Sequence, residues 1–262
     1  MRANHFRELL DAGEPTLGTR VNAVWPSVVE VLGHTGMFDY VEFLGEYAPF
    51  DLHDLDNFCR AAELFNMTAI IKIEQEPRTS LAQRAIGAGF QGVLFTDCRS
   101  VEDVRQCVRI VRPETPEDGG INGVGVRRMT YVGRAGTPEY VQALRDVIVM
   151  VMIEKRQAVE QLEEILTVEG VDMIQWGPSD YSMSIGKAGG RASSEVKAVE
   201  RRVFETAREF GVPARAEISS VDQARYYLDL GVRHFALGND LAILYEWWKA
   251  NGDALRKVVA DA

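Results

Sequence analysis

Short apolar runs recur along the chain, and between them apolar residues return every three or four positions, the spacing that gives a helix one buried face. Eight runs have strand length: 17–24 (LGTRVNAV), 39–44 (DYVEFL), 68–73 (TAIIKI), 91–96 (QGVLFT), 147–153 (VIVMVMI), 171–176 (VDMIQW), 212–218 (VPARAEI) and 234–238 (HFALG). Helical patterns fall at 26–35, 52–66, 78–88, 100–111, 156–167, 194–210, 220–230 and 240–250. Several reach a glycine, among them Gly89, Gly170, Gly211 and Gly231, where a left-handed C-cap is wanted. Strand-length runs alternating with helices predict a parallel α/β fold. Eight such units in 262 residues predict one (β/α)8 TIM barrel occupying 1–262 as a single domain. A doubly wound sheet would more often show a G-x-G-x-x-G turn after its first strand, and none follows Val24.

One stretch interrupts the rhythm. Residues 112–138, RPETPEDGGINGVGVRRMTYVGRAGTP, are rich in Gly, Pro and Arg and longer than an ordinary connection. The loop follows strand four and is expected on the face where barrel active sites lie, with Arg127, Arg128 and Arg134 gripping an anionic substrate or a neighbouring subunit; a solvated loop with ordinary charges is the alternative. The helix at 240–250 carries Leu241, Leu244, Tyr245, Trp247 and Trp248, an apolar density that predicts a subunit interface, against the alternative of packing on its own barrel.

Composition narrows the partners. With 46% hydrophobic and 26% charged residues, disorder and collagen-like repeats are excluded. A formal charge of -10 repels phosphate backbones and anionic membranes, so neither nucleic acid nor a membrane is expected as a partner. Three cysteines, Cys59, Cys98 and Cys107, have no C-x-x-C spacing and read as reduced thiols. No apolar run is long enough to span a bilayer and charge, instead of an apolar signal core, follows the first residues, so the protein is expected in the cytoplasm.

In a barrel the chemistry stands at the C-terminal strand ends. Strand five, VIVMVMI, runs straight into Glu154, and strand six, VDMIQW, into Gly177-Pro178-Ser179-Asp180. Neighbouring parallel strands would bring both carboxylates to one hard divalent cation, with substrate oxygens and water completing its shell. Each acid read singly is also an ordinary cap of the turn or helix that follows it.

The stretch 152–186, MIEKRQAVEQLEEILTVEGVDMIQWGPSDYSMSIG, resembles the signature of the HpcH/HpaI family of metal-dependent (class II) pyruvate aldolases. Its I-E-[TK]-x-x-A, I-x-x-V-E-G-V-D and G-P-x-D-[LY]-S-x-x-x-G elements stand in the family's order, and weaker similarity at Gly45-Glu46-Tyr47-Ala48-Pro49, Gly123-Val124-Gly125 and Tyr227-Leu228-Asp229-Leu230-Gly231 extends it over almost the whole chain. The resemblance implies a (β/α)8 barrel, usually a hexamer built as a trimer of dimers with the last helix exchanged. It also implies Mg2+, Mn2+ or Co2+ held by Glu154 and Asp180, and a 2-oxo acid carboxylate on the backbone amides of the Gly177 to Asp180 turn, with Gly177, Pro178 and Ser179 as its substrate-binding residues. A metal chelated by pyruvate polarises the carbonyl and stabilises the enolate, so the metal replaces the Schiff-base lysine of the other aldolase class.

The chain departs from the family at several positions. Leu44 and Tyr47 occupy the acid and histidine positions of the strand-two motif, Lys72 replaces the arginine that ends strand three, Asn122 replaces an arginine, and strand seven ends Arg215-Ala216-Glu217-Ile218 where relatives are mostly apolar. Lys72, Tyr47 and Glu46 are therefore the expected catalytic groups, with Glu217 lining the substrate site and Glu217 or Glu74 beside Lys72 to form a charge relay in which Lys72 or a metal-bound water moves the proton. Tyr with a pKa near 10 is a poor general base at pH 7. The expected reaction is carbon–carbon lyase chemistry: a 4-hydroxy-2-oxo acid cleaved to pyruvate, or a hydroxylated analogue, plus an aldehyde. Decarboxylation of a 2-oxo acid such as oxaloacetate, which needs no base to make the same enolate, is the alternative enzyme, and a catalytically silent carboxylate-binding barrel the alternative outside enzymes.

Overall fold

The computed structural model describes residues 2–261. Eight parallel strands close into one barrel in sequence order: β1 Thr16–Val21, β2 Tyr40–Leu44, β3 Thr68–Ile73, β4 Gly92–Phe95, β5 Ile148–Ile153, β6 Met173–Trp176, β7 Ala214–Ile218 and β8 His234–Asn239. All eight expected strands are present, with ends that differ by up to three residues, the most at β1, which stops at Val21 instead of Val24. The helices are α1 His5–Asp11, α2 Pro26–His34, α3 Leu52–Leu64, α4 Arg78–Ala88, α5 Val101–Val111, α6 Pro138–Arg145, α7 Arg156–Glu160, α8 Leu162–Leu166, α9 Pro178–Ser184, α10 Ser194–Glu209, α11 Ala224–Asp229 and α12 Asp240–Ala260. The helix expected over 156–167 is two, because Gln161 leaves helical geometry at φ −109°, ψ 20°.

Alternation along each strand sorts the side chains into two cores. Val41, Phe43, Ile71, Val93, Val149 and Val151 face outward into the helix layer. Tyr40, Ile70, Leu94, Ile148, Met150, Met152 and Met173 fill the barrel interior, and Phe6 of α1 stacks on Tyr40 with ring centroids 4.7 Å apart. The three cysteines are free and buried in the outer core.

The loop after α5 lies at the opposite end of the barrel from the one expected. It begins only after α5 has returned the chain to the N-terminal strand ends, where Arg112 donates to the carbonyls of Arg145, Val147 and Gly170. Arg127 donates to the Gln83 carbonyl in α4, and Arg128 pairs with Glu63 and the Ala88 carbonyl. Those two arginines tether the loop to α3 and α4 and are not available to a substrate at the other end; exposed Arg134 lines a small cavity with Arg2, Glu63 and Gln91 on the same face.

Helix α12 runs ten residues past its expected end, and none of its residues is buried. Leu241, Leu244, Tyr245, Trp247 and Trp248 are 44% to 64% exposed, which rules out the alternative of packing on their own barrel.

Candidate active site

A cavity of about 480 Å³ opens at the C-terminal strand ends; Lys72, Tyr47, Glu154 and the Gly177–Asp180 turn form one side, Arg20, Arg215 and Glu217 the other. The structure thus brings together eight of the nine expected site residues around one space, with Glu46 reaching it through Lys72.

Glu154 follows the all-buried strand β5 and is 3% exposed. Burial pushes its carboxyl up to about 7, against the pull of the Asp97 amide, which donates to Oε1 at 2.8 Å. Gly177 lies directly against it: a Cβ at that position would stand 2.6 Å from Glu154 Oε2 and 2.5 Å from its Cβ. The glycine is therefore required by the close approach of the β6 exit to the carboxylate.

Asp180 sits in the first turn of α9, where an acid meets the positive end of the helix. Sequence reasoning gave all the amides of this turn to a carboxylate. Pro178 has no N–H, and the Gly177 N–H is taken by the Ile153 carbonyl at 3.1 Å. The amides of Ser179 and Asp180, first-turn positions without an acceptor one helical turn back, are the ones left to bind an anion.

Lys72 is buried among groups other than those expected. Its Nζ is 2.8 Å from Glu46 Oε2 and donates to the Tyr47 hydroxyl at 2.6 Å. Neither Glu217 nor Glu74 is its partner. Burial works against the ammonium, but Tyr47 and Glu46 outweigh it and hold Lys72 above its ordinary pKa. Burial pushes the Tyr47 hydroxyl up to about 12, with Lys72 opposing.

Glu217 belongs instead to a chain of polar groups running into the barrel. It accepts from Arg20 Nη1 at 2.5 Å and from Gln175 Nε2 at 2.6 Å; Gln175 Oε1 accepts from Arg215 Nε at 2.6 Å; and Arg215 pairs with Glu42. Arg215 and Glu42 are wholly buried. Arg20 aligns with Glu42 across β1 and β2, and Gln175 with Arg215 across β6 and β7.

Asp97 and Lys155 were also missed. The Lys155 ammonium is 2.6 Å from Asp97 Oδ1 and 2.8 Å from Asp180 Oδ1. Asp97 lies two residues beyond the end of β4, so reading the exit of every strand would have found it. His53 is exposed at the start of α3 and lies outside the cavity lining.

The chain is 28% identical to a 5-keto-4-deoxy-D-glucarate aldolase of Shigella sonnei over 256 residues, 97% of each protein. It is 29% identical to a 4-hydroxy-2-oxo-heptane-1,7-dioate aldolase of Escherichia coli over 242 residues, 92% of this chain and 90% of the relative. The crystal structure of an HpcH/HpaI aldolase from Desulfitobacterium hafniense superposes with a TM-score of 0.88 at 24% identity, covering 97% of both chains, a likeness that speaks for the fold. The profile of the HpcH/HpaI aldolase/citrate lyase family matches residues 20–246, and the chain belongs to that family of carbon–carbon bond-cleaving enzymes.

Proposed function

We propose that this protein is a divalent-metal-dependent aldolase that cleaves a 4-hydroxy-2-oxo acid to pyruvate, or a hydroxylated analogue, and an aldehyde. The observation that supports it most is the convergence of Glu154, Asp180, Lys72 and the Gly177–Asp180 turn on one cavity. The donor set fits a hard cation. Glu154 and Asp180 both line the cavity, Glu154 disfavoured as a bare anion by burial, and a cation there would restore its charge. Among the described residues no cluster of three or more His, Cys, Asp or Glu is placed for a metal, so an ion here would take its remaining ligands from substrate and water. Mg2+, Mn2+ and Co2+ all suit such a set, and when bound the ion supplies Lewis-acid polarisation of the keto oxygen.

The chain's own residues then have distinct tasks. The Ser179 and Asp180 amides bind the 2-oxo acid carboxylate. Cleavage breaks C3–C4, removes the proton of the 4-hydroxyl, and sends the electron pair to the C2 oxygen; C3 of the enolate is afterwards protonated. Lys72, held as an ammonium, donates to that oxygen as charge develops, an effect of about 10²–10³ in kcat for a principal donor. Tyr47 accepts from Lys72 and so has its own O–H free to donate; held near 12, it is no base at neutral pH. Glu46, the carboxylate of that trio, lies behind Lys72 and takes the 4-hydroxyl proton by way of Tyr47, whose hydroxyl passes its own proton to Glu46 as it receives the substrate's. Glu217 and Arg20 line the opposite wall, towards the acceptor half of the substrate.

Two further features belong to this reading. The apolar surface of α12 fits exchange between subunits of a homo-oligomer, a trimer of dimers in the family's manner. Among the described residues no helix is long and apolar enough to cross a membrane, and a cytoplasmic location accords with that.

The deciding measurement has two parts, Mn2+ titration of EDTA-stripped protein and NMR of pyruvate methyl exchange in D2O. Wild type should bind Mn2+ and catalyse exchange, while Glu154→Gln does neither. Lys72→Met should keep its Mn2+ affinity and lose about 10²–10³ in kcat. Equal Mn2+ binding by wild type and Glu154→Gln would overturn the metal site, and near-wild-type turnover by Lys72→Met would reduce that lysine to an ion-pair partner.

A further inference from the structure

Asp97 occupies the left-handed region at φ 58°, a conformation that costs a residue with a Cβ about 1 kcal/mol or more. The conformation secures two contacts at once. Its backbone N–H donates to Glu154 Oε1 at 2.8 Å, and its carboxylate lies 2.6 Å from Lys155 Nζ. The same ammonium is 2.8 Å from Asp180 Oδ1. Asp97 thereby touches Glu154 directly and Asp180 through a single lysine. Arg99 also faces Asp97, with its Nη2 3.8 Å from Oδ1, but it is the more exposed of the two cations, 43% against 10% for Lys155.

One ammonium between two carboxylates is a competition. With Asp97 present, Lys155 divides its charge between two acids; with Asp97 neutral, Asp180 would be its only anionic partner. A lysine paired solely with Asp180 cancels the charge with which that residue would attract a cation, and binding must then pay the cost of breaking an ion pair one-tenth exposed on the lysine side. We propose that Asp97 is a positioning residue of the metal site: it orients Glu154 through its amide and draws Lys155 away from Asp180, so that both carboxylates meet a divalent ion as anions. The inference rests on the reading of Glu154 and Asp180 as the ion-binding pair. Neighbours that orient metal ligands typically contribute about 10–100-fold in affinity.

The test is Mn2+ affinity, read from the EPR signal of the free ion with no turnover involved. Asn tolerates the left-handed region and keeps the amide, so Asp97→Asn isolates the charge; it should bind Mn2+ at least about ten-fold more weakly than wild type. Adding Lys155→Met to Asp97→Asn removes the competing ammonium and should bring the affinity back to within about three-fold of wild type, an arithmetic that only a charge competition produces. Asp97→Gly, which relaxes φ and keeps the amide, should weaken binding as Asn does. Melting in EDTA establishes that each variant is folded. Unchanged affinity in Asp97→Asn or Asp97→Gly overturns the proposal, as does a double variant no tighter than Asp97→Asn. Failure of folded wild type to bind millimolar Mn2+ instead overturns the metal-site reading, and this inference with it.

Discussion

Glu42 and Arg215 form an ion pair in the middle of the barrel through Arg215 Nη2 and Glu42 Oε2, both residues wholly buried, and Arg215 Nη1 and Glu42 Oε1 have no hydrogen-bond partner among the described residues. Removing one member of such a pair strands the other charge and costs about 3–5 kcal/mol. For Glu42→Gln the expected loss is about 3 kcal/mol, the lower end, because Glu217 also raises the stability of the Arg215 cation. Arg215→Met behaves differently: a stranded carboxyl escapes by taking up a proton, which arginine has no means to mirror. Its cost should therefore be smaller than that of Glu42→Gln. Replacing both, as Glu42→Leu with Arg215→Met, exchanges the pair for apolar volume beside Ile70 and Met173 and should leave stability within about 1 kcal/mol of wild type. Urea unfolding followed by circular dichroism at several pH values measures all four proteins, with equal m-values as the condition for comparing midpoints. Single losses below about 1 kcal/mol, or losses that simply add in the double variant, would refute the argument.

Three other outcomes are expected. Gly177→Ala puts a methyl 2.6 Å from Glu154 Oε2, so the carboxylate must move; Mn2+ affinity should fall about ten-fold or more with little change in secondary structure, and unchanged affinity would show that Glu154 is free to shift. His234 is depressed to about 4 by burial, from an ordinary 6.5, with Thr16 Oγ1 3.0 Å from its Nδ1. Between those values the unfolded chain binds the proton and the folded one does not, so stability is fully present above pH 6.5 and declines by up to about 3 kcal/mol as pH falls through 4. His234→Gln should flatten that part of the acid limb, and an unaltered profile would show that other groups set it. Leu244→Glu with Trp248→Glu places two charges on one face of α12, and light scattering should find a smaller particle than wild type; an unchanged mass would remove α12 from the interface.

How much the sequence shows depends on which force shapes each part. The strands are legible because a parallel barrel buries both faces of every strand, so Ile148–Ile153 reads as an unbroken apolar run. The end of α12 is not: Asn251 and Gly252 look like a stop, yet the Asn251 side chain donates to the Trp247 carbonyl and the helix continues to Ala260. Position relative to a returning helix also decided the misplacement of 112–138, since a loop after α5 and a loop after β4 belong to opposite ends of the barrel. Glu154 stood out because it follows β5 directly, and Asp180 because it lies in the short turn into α9 that follows β6. Asp97 also stands close after a strand, but its significance lies in a backbone conformation and in a lysine beyond the next strand, β5, and neither leaves a local pattern.

The interior charges were within reach of a simpler reading, that of parity. On β2, Tyr40, Glu42 and Leu44 share the inner face; on β6, Met173, Gln175 and the following Gly177; on β7, Arg215 and Glu217. A glutamate in the middle of YVEFL and an arginine opening ARAEI therefore point into the same space, and charges that enter one barrel interior must meet or be lost. On β3, β4 and β5 that middle layer is apolar, with Ile70, Leu94 and Met150, and polarity begins only at the rim with Lys72 and Glu154. Polar groups thus reach deeper on the β6, β7, β1 and β2 side, and Glu217 and Arg20 carry that chain up to the cavity wall. A buried pair is weak support for stability, so the reason to keep it lies at the upper end: Arg215, through Gln175, fixes the carboxylate of Glu217, and Glu217 fixes Arg20. The wall opposite Lys72 is thereby held rigid as well as polar, which is what a site needs if it is to select the aldehyde half of its substrate by hydrogen bonds instead of by shape alone.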